Sequence, residues 1–296
     1  MGSWADVFDG YGQLVLHRDE LLASGASGRA LTAAVRFGHL VRLRNGHYCL
    51  PECDAHVRRA VRIGGRLGCV SALESHGVFA FDARRTHVQL DGDRSRLRAP
   101  TPRLQPLTRR NRLGSVLHWS NRLLEPDAAD RHRVAVLDAL GESLLCQHPW
   151  HALASIDNAL HLGHVGRAAI HRLFEWAPER LRYLDELVDG RAEAGQETVL
   201  RMIVRQTELP YELQVKFDGV GRVDMLVAGC LVVEADSRQF HDGWEAHVRD
   251  RERDLQLAAL GLASLRPAYQ HTMHRPDLVR SAIRGLVRQR LRLLRG

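Results

Sequence analysis

Residues 221–241 read GRVDMLVAGCLVVEADSRQFH and set Asp224, Glu234, Asp236 and His241 into the most strand-like stretch of the chain. If VDMLV and LVVEAD form a hairpin around the loop Ala228-Gly229-Cys230, Asp224 falls opposite Glu234. Strand alternation then puts Asp224, Glu234 and Asp236 on one face and leaves the other apolar, with Val223, Met225 and Val227 beside Leu231, Val233 and Ala235. A slip by one residue would drive the carboxylates into the core, so the pattern favours this register. Facing carboxylates repel one another, and a divalent cation between them relieves the repulsion. Mg²⁺ or Mn²⁺ on Asp224 and Glu234 would polarise a phosphodiester and activate a bound water. The competing reading is an ordinary ion-pair cluster neutralised by Arg222.

Two further residues could join this chemistry. Glu197 lies on the shoulder of the apolar stripe Leu200, Ile203, Val204 and Thr207 of an expected helix, where it could complete a metal shell. It could equally form a surface pair with Arg201 one turn on. His241 could serve as general base for the attacking water or protonate the leaving oxygen, although a lone histidine is more often structural.

The elements that must position these groups form the third of three regions. Over 191–296 the pattern reads helix (GQETVLRMIVRQTE), three strands (YELQVKF, GRVDMLV, LVVEAD), a long helix from about Trp244 to Leu260, a strand at LASLRP and a closing helix after Pro276. That order predicts an α/β sandwich compatible with a restriction-endonuclease-like core. A middle region, 57–190, reads as a mixed α/β connector. It has helices on both sides of a Gly-rich joint, strands at THVQLD and SVLHWS, a solvated arginine- and proline-rich loop between them, and helices onward to about Val188. The chain as a whole is therefore expected to be α/β (α+β).

The first region, 1–56, carries a second constellation. HRDELLASG predicts a short helix closed by Gly25, and Ser27 caps a second helix that runs to about Phe37 and is closed by Gly38. Leu31, Ala34 and Val35 form its inward stripe, with Arg29, Thr32 and Arg36 on the opposite face. LVRLRNGHYCL then alternates around a tight Asn45-Gly46 turn. Helix, helix and an arginine-bearing hairpin is the order of a winged helix-turn-helix. On that reading Arg29 and Arg36 enter a DNA groove and Arg42 and Arg44 lie on the wing. The alternative is a small helical module with a solvated basic face.

Bulk properties agree with a nucleic-acid partner without requiring one. The 296 residues carry a formal charge of +7, and Lys216 is the lone lysine. Guanidinium forks suit phosphate oxygens and guanine edges. The chain lacks an apolar run long enough to cross a bilayer, and MGSWADVFDG has no apolar signal core, so a cytoplasmic protein with no membrane partner is expected. Five cysteines, an odd number, argue against a disulfide framework. Cys49, Cys53 and His56, with Cys69 as a fourth, hint at zinc. Their spacing matches no standard finger, and the thiols read better as small core residues.

On these motifs, GVGRVDMLVAGCLVVEADSRQFH followed by HVRDRERDLQLAALGLASLR resembles the DUF559 family. That family belongs to the PD-(D/E)XK nuclease superfamily and is related to very-short-patch mismatch repair endonucleases. GHLVRLRNGHYCL resembles the wing of the AbiEi-type antitoxin domain. The resemblance implies a DNA endonuclease with Glu197, Asp224, Glu234, Asp236 and His241 as site residues, Asp224 and Glu234 as metal ligands, and the Ala235 carbonyl as a further ligand. Two departures stand out: Ser237 replaces the family's usual glycine, and Asp236 stands where the superfamily usually has its lysine. The alternative function is an antitoxin-like DNA-binding regulator without catalysis, with a toxin as partner.

Overall fold

The computed structural model of the chain describes residues 3–101, 104–120, 123–236 and 244–293. In chain order the first elements are α1 (Trp4–Tyr11), β1 (Leu16–His17), α2 (Arg18–Ala23), α3 (Gly28–Arg36), β2 (Val41–Arg44) and β3 (His47–Cys49). Then come α4 (Ala55–Ile63), β4 (Arg66–Leu67), α5 (Cys69–Ser75), β5 (His87–Leu90), β6 (Val116–Trp119), α6 (Val136–Cys146), α7 (Pro149–His161) and α8 (Arg167–Trp176). The last are α9 (Gly195–Arg205), β7 (Tyr211–Phe217), β8 (Gly221–Val227), β9 (Leu231–Val233), α10 (Trp244–Ala259), β10 (Ala263–Leu265), α11 (Tyr269–His274) and α12 (Pro276–Leu293). The class is mixed α/β. Two compact units divide the chain: Met1–His148 with His164–Asp185, and Pro149–Gly163 with Glu186–Gly296.

In the first unit, Ser27 caps α3 by accepting the Ala30 N–H at 3.1 Å, and Leu31 and Ala34 turn inward. Gly46 takes φ +77° in the turn between β2 and β3, a conformation that an L side chain rarely adopts. The N-terminal sheet has the antiparallel order β1-β3-β2, and Phe8, Leu16, Leu21, Leu31, Leu40 and Tyr48 form one core beneath it. A second sheet has the order β4-β5-β6, with β5 and β6 parallel. Gly65 allows its close approach, since a Cβ there would lie 2.1 Å from the Gln89 carbonyl. The arginine- and proline-rich segment expected as a solvated loop is partly tied down. Arg98 N–H bonds the Ile63 carbonyl at the end of α4, Ala99 N–H bonds Gln105 O and Leu107 N–H bonds Leu97 O. Backbone groups that find such partners need not stay solvated.

The second unit is a mixed sheet, order β10-β9-β8-β7, with β10 parallel to β9 and the other pairs antiparallel. Ladder pairs Met225–Val233, Leu226–Val232 and Val227–Leu231 bracket the turn at Ala228 and Gly229, which have φ +49° and +64°. That is the three-residue connection its sequence predicts. Both sheet faces are covered. Val223, Val232 and the α10 residue Leu257 form one cluster, and α9 packs on β8. α7, from the middle of the chain, packs on α9. Its Asp157 is buried and accepts hydrogen bonds from Arg201 Nη2 and Thr198 Oγ1, both at 2.8 Å. Burial pushes this carboxyl up to about 6.

Candidate functional site

The β8–β9 ladder ends at Met225–Val233, one step short of Asp224 and Glu234, in the register that the turn length predicts. Asp224 is partly buried, and its Oδ2 accepts the Ala235 N–H at 2.8 Å, a side-chain bond that carries on where the ladder stops. Burial raises its pKa against that hydrogen bond, and the Glu234 charge adds to the rise. Across β7 sits Gln214, which drops out of the pairing with β8, has φ +56° and buries its Oε1 without a partner among the described residues. A strained, unsatisfied residue beside a half-buried carboxylate is a feature that functional sites tolerate more than framework does.

Glu197 and Asp224 line the same cavity, together with Arg191, Arg201, Gln214 and Met225. The Glu197 oxygens accept the N–H groups of Glu193 and Ala194, each at 3.1 Å, so the side chain folds back over the start of α9. Burial first, and then the nearby Asp224 charge, push it up to about 7. The Arg201 partner expected one turn along α9 is not formed, because Arg201 turns to Asp157. Arg222 likewise pairs with Glu193 rather than with the facing carboxylates.

Glu234 is neutralised by two residues that strand arithmetic does not single out. Its Oε1 binds Arg253 of α10 at 2.8 Å, and its Oε2 binds Arg266, just past β10, through Nε at 2.9 Å and Nη2 at 2.8 Å. Arg266 also meets Asp254 at 2.8 Å. Both oxygens of Glu234 are therefore engaged, as are both of Glu197. Asp236 continues the strand into a bridge with Ala268. Ser237 and His241 lie outside the described residues.

Mg²⁺ or Mn²⁺ held by Asp224 and Glu234 at about 2.0–2.1 Å would have to compete with Arg253 and Arg266 for the Glu234 oxygens. Among the described residues, the group of Cys, His, Asp or Glu side chains that does converge is elsewhere. Cys69, His87, His118 and Cys146 bring their ligand atoms within 4.8 Å of one another. Sequence spacing gave no sign of it, because the four come from separate elements of the first unit. The zinc set suggested by spacing is not assembled. Cys49 and Cys53 are buried thiols, His56 Nδ1 bonds Thr86 Oγ1 at 2.8 Å, and Cys69 belongs to the other group.

The basic residues of the first unit divide in two. Arg29 and Arg36 are exposed on α3 with no carboxylate partner among the described residues, and Arg36 lies over the Phe37 ring at 6.0 Å. Thr32 joins them on the exposed face, its hydroxyl turned to the Gly28 carbonyl. Arg42 is half-buried and fastens the hairpin turn through Asn45 Oδ1 at 2.7 Å. Arg44 is half-buried as well. Its pKa is lowered by burial and then by Arg94 and Arg98, which the tied-down loop brings beside it. Arg94 is paired with Asp91 at 3.1 Å, so the positive field left here is that of Arg44 and Arg98. No helix among the described residues is long and apolar enough to cross a membrane. No family model and no curated protein sequence matches the chain.

Proposed function

We propose that this chain is a DNA-binding protein whose first unit docks the duplex as a winged helix. Its second unit is proposed to be a scaffold of nuclease type held in a non-cutting arrangement. The observation that carries the docking reading is the element order α1-β1-α2-α3-β2-β3 closed by a β1-β3-β2 sheet, with Arg29, Thr32 and Arg36 on the uncovered face of α3. Arg44 and Arg98, beside the Asp91-paired Arg94, supply a second place where phosphate would relieve like-charge crowding. This fits a regulator of the antitoxin class, with a toxin as a further partner, and agrees with the resemblance of GHLVRLRNGHYCL to such a wing.

The second reading, hydrolysis of DNA with Mg²⁺ or Mn²⁺, is favoured by two observations. One is the order helix, three antiparallel strands, helix and parallel strand in the second unit. The other is Asp224, which lines one cavity with Glu197 and feels the Glu234 charge. It requires Glu234 to leave Arg253 and Arg266, or Asp236 to take its place as ligand. Plasmid incubated with Mg²⁺ or Mn²⁺ separates the two, with retention of a duplex read in parallel. Retention of DNA without nicking is the expected result. Nicking by the native chain that Asp224→Ala abolishes would establish the endonuclease instead, and absence of retention would remove the docking reading.

A further inference from the structure

We propose that Cys69, His87, His118 and Cys146 form a four-ligand zinc site that clamps the second sheet of the first unit to its helices. Cys69 opens α5, His87 opens β5, His118 lies on the neighbouring parallel strand β6, and Cys146 ends α6. His87 Nδ1 stands 3.0 Å from His118 Nε2, the two rings stack at 5.2 Å, and Cys146 Sγ lies 3.9 Å from His87 Nδ1. A tetrahedral zinc with bonds of ~2.0–2.1 Å to nitrogen and ~2.3 Å to sulfur separates its ligand atoms by roughly 3.3 to 3.8 Å. These two separations fall within a few tenths of an ångström of that range, and all four ligand atoms lie within 4.8 Å of one another, so an ion needs side-chain adjustment of about 1 Å or less.

The surroundings are built for this purpose. Cys69 holds φ +47°, a strained value for a residue with a side chain, and its N–H donates to Glu142 Oε2 at 2.7 Å. Gly68 makes room for that carboxylate, since a Cβ there would lie 2.3 Å from Glu142 Oε2. Glu142 Oε1 is buried without a partner among the described residues, and Glu142 lines one cavity with His118. A buried acid beside a ligating histidine and bonded to a ligating cysteine is the outer shell that fixes such a centre. Binding Zn²⁺ to two thiols and two neutral imidazoles releases two protons and leaves a neutral centre, which suits a place where Cys69 and His87 are buried. Four protein ligands leave no open position, so the role is structural rather than hydrolytic. The proposal depends on neither docking nor cutting of DNA.

Zinc content of the full chain, purified in reducing, chelator-free buffer, tests it. About one zinc per chain is expected, falling to near zero in Cys146→Ser and His118→Ala but retained in Cys49→Ser. Cobalt loaded in place of zinc should give the intense visible bands of a tetrahedral thiolate site. In the native chain alone, Cys69 and Cys146 should resist alkylation until a chelator is added. This arm stands even if the variants fail to fold. Absence of zinc together with failure to take up cobalt would overturn the proposal. So would full zinc content in both ligand variants, or a Cys69–Cys146 disulfide trapped under the same conditions.

Discussion

Glu197 is the residue whose protonation the acidic site controls most directly. Its folded-state pKa of about 7 lies above the ordinary 4.5, so folding favours the protonated form. Its contribution to stability is therefore fully present below the ordinary value and is lost as pH rises through about 7. Glu197→Gln carries a neutral amide at every pH and escapes that loss. The melting temperature of the native chain should thus fall relative to Glu197→Gln from about pH 5 to about pH 8. Parallel melting curves over that range would show instead that neither burial nor the Asp224 charge raises the Glu197 carboxyl. The same residue shows how side-chain geometry redirects an expectation. A helix-shoulder glutamate could have met Arg201, but the buried Asp157 is the stronger attraction for that arginine.

At the scale of elements, Glu234 acts as a knot. From the end of the inner strand β9 it holds Arg253 on α10 and Arg266 beyond β10, so one carboxylate links the sheet to the helix and to the segment after β10. Glu234→Gln would leave the partly buried Arg253 without its counter-charge and Arg266 with Asp254 alone. Urea denaturation should show a loss of about 3 kcal/mol. A loss below about 0.5 kcal/mol would mark the cluster as a surface ion pair of little consequence. The strands and helices of this unit were legible because period-two alternation and the Ala228-Gly229-Cys230 turn fix the register. Likewise, Ser27 and Asn45-Gly46 announced α3 and its hairpin. What stayed hidden was of two kinds. Short elements such as β1 and β4, with two residues each, have no period to read. Contacts between residues distant in sequence, such as Glu234 with Arg253 and Arg266 or Cys69 with His87, His118 and Cys146, depend on packing that no local spacing encodes.

At the scale of the whole molecule, two units supply two different surfaces, and the charge of +7 is concentrated in arginine, which keeps its charge at any physiological pH. In the proposed docking, Arg29 and Arg36 meet phosphates or base edges. Arg44 and Arg98 supply a further positive field that salt would screen. Duplex affinity measured against salt concentration tests this most directly. The native chain should bind DNA with a steep negative dependence of log affinity on log salt. The double variant Arg29→Ala with Arg36→Ala should bind more weakly, with a slope shallower by roughly 2. Unchanged affinity and slope in the double variant, or no binding by the native chain at about 50 mM salt, would contradict the account.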